Sequence, residues 1–397
     1  MKKMIMAVIA TVIIVTTNVV NAQWQKTSGP NSVFILSIAI KGNDIFAATA
    51  SNGVYLSSNN GNSWTAVNTG LNYGYSVYAL TMNGSDIFAG TDNGIFMSSN
   101  NGNSWTAVNN GVPASTGIMA LTIKGDTVFA GTLSGLTDNG VLLSTNDGNN
   151  WTAGGLTGYR SVYSFAKSGN NIFAGTSCCG VYVSSGGNSW TQVITGLTIT
   201  SNIYALAVSG SNIFAGTGGG VFISSNNGNN WTAVNTGLTG YSLAVYALAV
   251  SGSNIFAGTG GGVFVSSNNG NNWTAVNTGL TDTTGISSLA VAGNYLFAGT
   301  DSTGVWKRPL SEMTGINEIN SEKTNVSVYP NPFTDQINVK TDAGKNVDIA
   351  LYDITGRMID QYKVSGYLAI KTDNLPHGVY FVKVASKDGI SAKEIVK

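Results

Sequence analysis

The chain has 397 residues, 19 Lys and Arg against 19 Asp and Glu, one His and two Cys. A neutral chain offers no basic footprint for nucleic acid, two cysteines cannot make a disulfide framework, and one histidine cannot build a His-rich metal site. Charged residues are only 10% of the sequence while Gly alone numbers 51, so the surface must be Asn, Ser, Thr and Gly, which hydrogen-bond neutral partners without long-range steering.

The chain opens with Lys2 and Lys3, an apolar stretch over residues 4–15, and a small-residue segment ending Val20-Asn21-Ala22. This reads as a signal peptide over residues 1–22, cut after Ala22, because the apolar run is too short for a membrane anchor. No second stretch is long and apolar enough to span, so no transmembrane anchor is expected after cleavage.

From there a tryptophan recurs about every forty residues: Trp24, Trp64, Trp105, Trp151, Trp190, Trp231 and Trp273, at intervals of 40, 41, 46, 39, 41 and 42. Such a period marks a repeat architecture. Each repeat resolves into four short apolar runs, clearest at residues 245–250, 255–259, 263–267 and 273–276, separated by Gly, Asn and Ser. Runs this short and punctuated are β-strands, and four antiparallel strands make one propeller blade. Only a tryptophan strand, residues 23–26, precedes the first full repeat, and only three strands, residues 287–292, 295–300 and 304–308, follow the last. The predicted fold is therefore all-β: a seven-bladed β-propeller over residues 23–310, closed by an N-terminal clasp strand. Burying Trp24 in that closure removes roughly 150–250 Å² from water, on the order of 4–6 kcal/mol gross.

The turn between third and fourth strands reads Ser57-Ser58-Asn59-Asn60-Gly61-Asn62-Ser63-Trp64, with the same spacing at residues 98–105, 144–151, 224–231 and 266–273, and one residue fewer at 184–190. Gly supplies positive φ in a tight hairpin, Asn and Ser tie its backbone, and Trp fills the space between blades. This turn resembles the Asp-box, or bacterial-neuraminidase (BNR) repeat, of sialidases, sortilin-type receptors and photosystem II stability-factor-like propellers, with Asn where those families usually have Asp. The resemblance implies the fold. The sialidase machinery it also implies, three arginines, a Tyr and Glu pair and an acidic Asp, is missing: residues 23–310 contain no Glu or His and two arginines, Arg160 and Arg308.

Eight aspartates remain. Asp44, Asp86 and Asp126 share a repeat position that Asn fills elsewhere, and Asp147 lies in a hairpin turn, so turn chemistry accounts for these four. Asp92, Asp138 and Asp301 fall in second-to-third strand turns and Asp282 in a link between blades. A pair of them on one face could supply the acid and base of a glycoside hydrolase, but turn chemistry is the simpler account of them. Links and second-to-third turns open on the face opposite the hairpin turns. On that face Tyr73, Tyr75, Tyr159, Arg160 and Tyr241 offer an aromatic, hydrogen-bonding surface suited to sugar or peptide, or pack as rim residues on neighbouring loops. The third blade alone carries an insertion there, residues 133–138. Cys178 and Cys179 stand side by side in the fourth blade's second-to-third turn, as plain thiols or closed into a small ring. No cofactor and no metal is expected, since the soft ligands are too few and the Asn-rich turns lack the carboxylates of a calcium loop.

After residue 310 the period stops and charges become frequent. Residues 311–324 read as a linker and residues 325–397 as a small antiparallel β-sandwich. Its phrases Val328-Tyr329-Pro330-Asn331-Pro332-Phe333, residues 350–357 ending Thr355-Gly356-Arg357, and residues 375–383 around Gly378 and Tyr380 resemble, in order and spacing, the type A C-terminal sorting domain of the type IX secretion system of Bacteroidota. The resemblance implies that Pro330, Asn331, Pro332, Phe333, Gly356, Arg357, Gly378 and Tyr380 are the recurring motif positions. It also implies the type IX machinery as partner and a secreted or outer-membrane-surface location. Individually most of these residues also serve as turn and core structure, and His377 as a turn residue. The sequence thus points to a secreted or cell-surface, non-catalytic binding or adhesion propeller with a glycan or protein ligand and no nucleic-acid partner. The alternative is a glycoside hydrolase using an Asp pair on the loop face.

Overall fold

The computed structural model describes residues 23–72, 74–133, 139–158, 160–197, 202–281, 285–314, 327–341, 346–353, 358–386 and 389–397. The expected signal peptide and most of the expected linker lie outside the described residues. The chain divides into two compact units, Met1–Met313 and Thr314–Lys397.

In the first unit the described residues form seven four-stranded antiparallel sheets, a propeller-like arrangement. The first comprises Ile35–Lys41, Asp44–Thr49, Val54–Ser57 and Thr65–Ala66, each strand paired with the next. Five more follow this order. The remaining sheet draws on both ends of the unit: Gln25–Lys26 pairs with Val305–Pro309, beside Tyr295–Thr300 and Ile286–Ala292. The fourth strand is shorter than its apolar run, as in Thr274–Ala275 where residues 273–276 are expected. The Trp273 N–H donates instead to the Thr236 carbonyl of the preceding repeat, which takes Trp273 out of its own ladder.

The second strand of each sheet holds the core. Its run, Ile-Phe-Ala-Gly-Thr in four sheets with Val or Leu for the Ile or Ala for the Gly in the other three, is apolar without alternation because both faces meet neighbouring sheets, and Phe46, Phe88, Phe129, Phe173, Phe214, Phe256 and Phe297 are all buried at one repeat position. Neighbouring sheets approach so closely that a Cβ at Gly90 would stand 2.7 Å from Ile118, and one at Gly299 2.5 Å from Ile35. The sheet at residues 286–309 therefore meets the first sheet as the other sheets meet their neighbours. Trp105, Trp151, Trp231 and Trp273 seal such joints, donating Nε1–H to the carbonyls of Val67, Val108, Val193 and Val234. Trp24, 2% exposed, makes the equivalent bond to Val276 at 2.6 Å.

At the hairpin turns one network repeats. Ser98 Oγ donates to Asn100 Oδ1 and accepts the Gly102 N–H, both at 2.9 Å, while Asn100 Oδ1 accepts the Ser104 N–H at 2.9 Å. Ser57, Ser144, Ser224 and Ser266 do the same. Gly102 has φ +81°, which a side chain would strain. Struts cross between sheets at this end: Lys41 Nζ donates to the Ser85 carbonyl at 2.6 Å, and Lys307 Nζ to the Asn60 carbonyl at 2.7 Å. Asp44 and Asp147 accept from Asn101 and Asn83 at 2.7 and 2.8 Å.

The second unit has two antiparallel sheets, one of Ser327–Tyr329, Gln336–Lys340 and Tyr367–Lys371, the other of Met358–Ser365, Asn346–Asp353, Val379–Ser386 and Gly389–Val396. Ile337 and Ile370 from one sheet share a core with Ile349 and Val382 from the other. Phe333 and Tyr380 meet in that core edge to face, ring centroids 6.0 Å apart. The Asn331 side chain accepts the Val396 N–H at 2.9 Å, Gly378 N–H donates to the Lys397 carbonyl at 3.3 Å, and Pro330 and Pro332 are exposed. Gly356 and Arg357 lie outside the described residues.

Candidate functional site

The first strand in chain order of each of the seven four-stranded propeller sheets, counting Ile286–Ala292 for the sheet that Gln25–Lys26 joins, begins with an irregularity. Pairing skips one residue in each: the register shifts between Ile35 and Ser37, Val77 and Ala79, Ile118 and Ala120, Val162 and Ser164, Ile203 and Ala205, Val245 and Ala247, and Ile286 and Ser288. A bulge frees its extra residue from the ladder and re-aims the side chain. The seven residues so released are Leu36, Tyr78, Met119, Tyr163, Tyr204, Tyr246 and Ser287, and all seven line one open basin of about 550 Å³, with Phe34, Gly285 and Asp301.

The basin is aromatic along one arc. Tyr163 stacks on Tyr204 at 6.1 Å and 20° between planes, and Tyr204 meets Tyr246 at 5.4 Å and 59°. Tyr246 is 40% exposed and Phe34 39%, so ring faces are left for a ligand. Asn202 Nδ2 donates to the Tyr204 hydroxyl at 3.1 Å. The carboxylate in this lining, Asp301, stands beside Gly285, whose carbonyl accepts the Asp301 N–H at 3.2 Å. Phenol hydroxyls over apolar rings, with one acid among the described lining residues, suit a neutral ligand that presents both apolar faces and hydroxyl or amide groups. Two-carboxylate hydrolysis would need a partner for Asp301 within about 5–9.5 Å. Among the described residues no cluster of three His, Cys, Asp or Glu could hold a metal ion.

Of the residues singled out from sequence, Asp301 lines this basin, whereas the described residues Tyr75, Tyr241, Arg160, Cys178 and Cys179 are not among its lining. Tyr75 packs at 6.4 Å against Phe96, and its hydroxyl accepts from Asn93 Nδ2 at 2.8 Å. Tyr75's loop edges a separate hollow of about 450 Å³ lined by Tyr55, Asn68 and Asn72. Tyr241, 86% exposed, sits on the single turn Gly240–Leu243. Arg160, Cys178 and Cys179 do come together: the guanidinium lies 5.4 Å from the centre of the Tyr182 ring and donates to the Thr157 carbonyl. A hydrogen bond with Cys179 raises its pKa above the usual arginine value, outweighing desolvation. The two sulfurs are 2.8 Å apart as free thiols. Tyr73, Asp138, Tyr159 and Asp282 lie outside the described residues.

The tyrosine arc is not legible in the sequence because each tyrosine reads as an ordinary strand residue. A signal was nevertheless present: the residue before it is always Ile or Val, whereas the position itself holds Leu, Tyr, Met, Tyr, Tyr, Tyr and Ser. Variation beside constancy within one chain marks a position that the repeat does not need for packing.

A β-propeller followed by a separate small β unit defines the class. Residues 327–397 match the secretion system C-terminal sorting domain, which implies the type IX secretion machinery and a secreted or cell-surface location. Residues 6–117 and 160–309 match the DUF6242 β-propeller domain, and the chain belongs to that family. Among the described residues no helix is long and apolar enough to cross a membrane. Solved structures with a similar fold include the extracellular domain of BT4673 from B. thetaiotaomicron, at 18% identity and TM-score 0.59, covering 94% of this chain and 52% of that one. YCF48 from Cyanidioschyzon merolae matches at 16% identity and TM-score 0.56, over 72% of this chain and 98% of its own. A GH74 enzyme from Niastella koreensis matches at 19% and 0.53, over 72% of this chain and 44% of that enzyme. This chain thus spans about half the length of the first and less than half of the last. These likenesses concern the fold. No curated protein matches the sequence.

Proposed function

We propose that this is a secreted or surface-displayed binding protein of the Bacteroidota: a closed seven-bladed propeller over residues 23–310 that holds a neutral glycan or protein segment in its tyrosine-lined basin. Residues 1–22 are its signal peptide, residues 311–324 a linker, and residues 325–397 the sorting domain that delivers it. The observation that carries the reading is the arc Tyr163, Tyr204 and Tyr246, raised into the basin by three bulges at the same repeat position. The seven sheets, the Trp24 bond to Val276 and the pairing of Gln25–Lys26 with Val305–Pro309 support the clasp and the blade count. The Ser-Asn-Gly hairpins serve as Asp-boxes that hold the ring.

A glycan and surface-polysaccharide array with the mature chain tests this, alongside an assay for released reducing sugar. Binding without release is expected, and Tyr204→Ala should weaken it by about tenfold or more, as for a central aromatic anchor. Asp301 in the basin and the fold shared with a GH74 enzyme favour hydrolysis as the second reading. Sugar release abolished by Asp301→Asn would establish it in place of the first.

A further inference from the structure

We propose that Cys178 and Cys179 are a modification site, closing in the exported protein into a vicinal disulfide ring on the basin face. They are the only cysteines of the chain, so neither has another intramolecular partner. They occupy the turn between Asn171–Thr176 and Val181–Ser184, Cys178 exposed and Cys179 half-buried. Both ends of the turn are held: the Cys178 N–H donates to Asn202 Oδ1 at 3.0 Å, and Gln192 Nε2 donates to the Cys179 carbonyl at 2.9 Å. With the sulfurs 2.8 Å apart, ring closure needs no approach of distant segments and competes well with pairing to another molecule. The sorting domain directs the chain to a compartment where disulfides persist.

The oxidant is an exchangeable protein disulfide of that compartment. The Cys178 thiolate attacks it, forming a mixed disulfide and releasing one donor thiolate. The Cys179 thiolate then attacks the Cys178 sulfur, forming the Cys178–Cys179 bond and releasing the second donor thiolate. Two electrons pass to the donor, and its two thiolates take up the two protons that the cysteines lost. The ring exchanges two thiols for a rigid apolar edge beside Arg160. It also connects to the basin through a single side chain, since Asn202 bonds both the Cys178 N–H and the Tyr204 hydroxyl.

The test uses the full chain exported by a host with type IX machinery, quenched in acid and treated with iodoacetamide before and after reduction. The expected result is an intact mass below that of the reduced chain by two hydrogen atoms, no alkylation before reduction, and two additions after it, mapped to the peptide holding residues 178 and 179. Alkylation of either thiol in the unreduced protein, or a disulfide-linked pair of chains, overturns the proposal.

Discussion

The two ends of the propeller sheets are built on opposite rules. At the hairpin end five turns use one hydrogen-bond network with the same Ser, Asn and Gly, and lysine or aspartate struts join one sheet to another. At the basin end the corresponding position differs from sheet to sheet, and a bulge removes it from the ladder in all seven. Repetition at one end makes stability, since each joint is the same solved packing problem. Irregularity at the other is tolerated because a bulged residue contributes little to pairing, and that freedom is available to a ligand.

Substitutions at the two ends should therefore separate stability from binding. The largest effect is expected at the proposed closure: Trp24→Ala, which empties a site 2% exposed and loses the bond to Val276, should lower unfolding free energy by about 3–5 kcal/mol in urea titrations. A single cooperative transition at the wild-type midpoint would remove Trp24 from any closing role. Ser98→Ala leaves the buried Gly102 N–H without its acceptor and should cost about 1–3 kcal/mol by the same measurement. Lys307→Met removes a partly exposed strut and should cost about 1 kcal/mol or less. Burial lowers the Lys307 pKa, so the folded chain sheds that proton first, and wild-type stability should rise as pH climbs from the folded value toward the ordinary lysine value. Lys307→Met should lack this rise in thermal melts across that window. The smallest effect on stability, within about 1 kcal/mol, is expected for Tyr246→Ala, and there the loss should appear in ligand retention on the array instead. A basin substitution that unfolded the propeller while leaving binding per folded molecule intact would invert the comparison.

Much of the fold was legible because its signals are local. A tryptophan every forty residues, runs of four to six apolar residues and Gly-bearing turns each act within a few residues of themselves, and the structure carries seven sheets with those runs as strands. Tail phrases such as residues 328–333 were legible for the same reason: Phe333 and Tyr380 sit in one core, and Asn331 ties the last strand. The site was less so. Asp44 and Asp147 read as turn residues, and the structure adds the neighbouring-sheet asparagines that they accept from. Tyr75 and Tyr241 read as ligand candidates because they stand in loops, yet one is occupied by Phe96 and Asn93 and the other lies outside the basin lining.

By itself the sequence determined the period, the strands and the tail that marks the chain for export, since these depend on spacing along the backbone. Tertiary structure alone decided which side chains meet. Period-two alternation cannot say that Tyr163, Tyr204 and Tyr246 leave the ladder, because a bulge exists only relative to the strand it is paired with. Nor can spacing join Asn202 to both Cys178 and Tyr204, a contact made when residues 24 apart in sequence fold onto adjacent sheets.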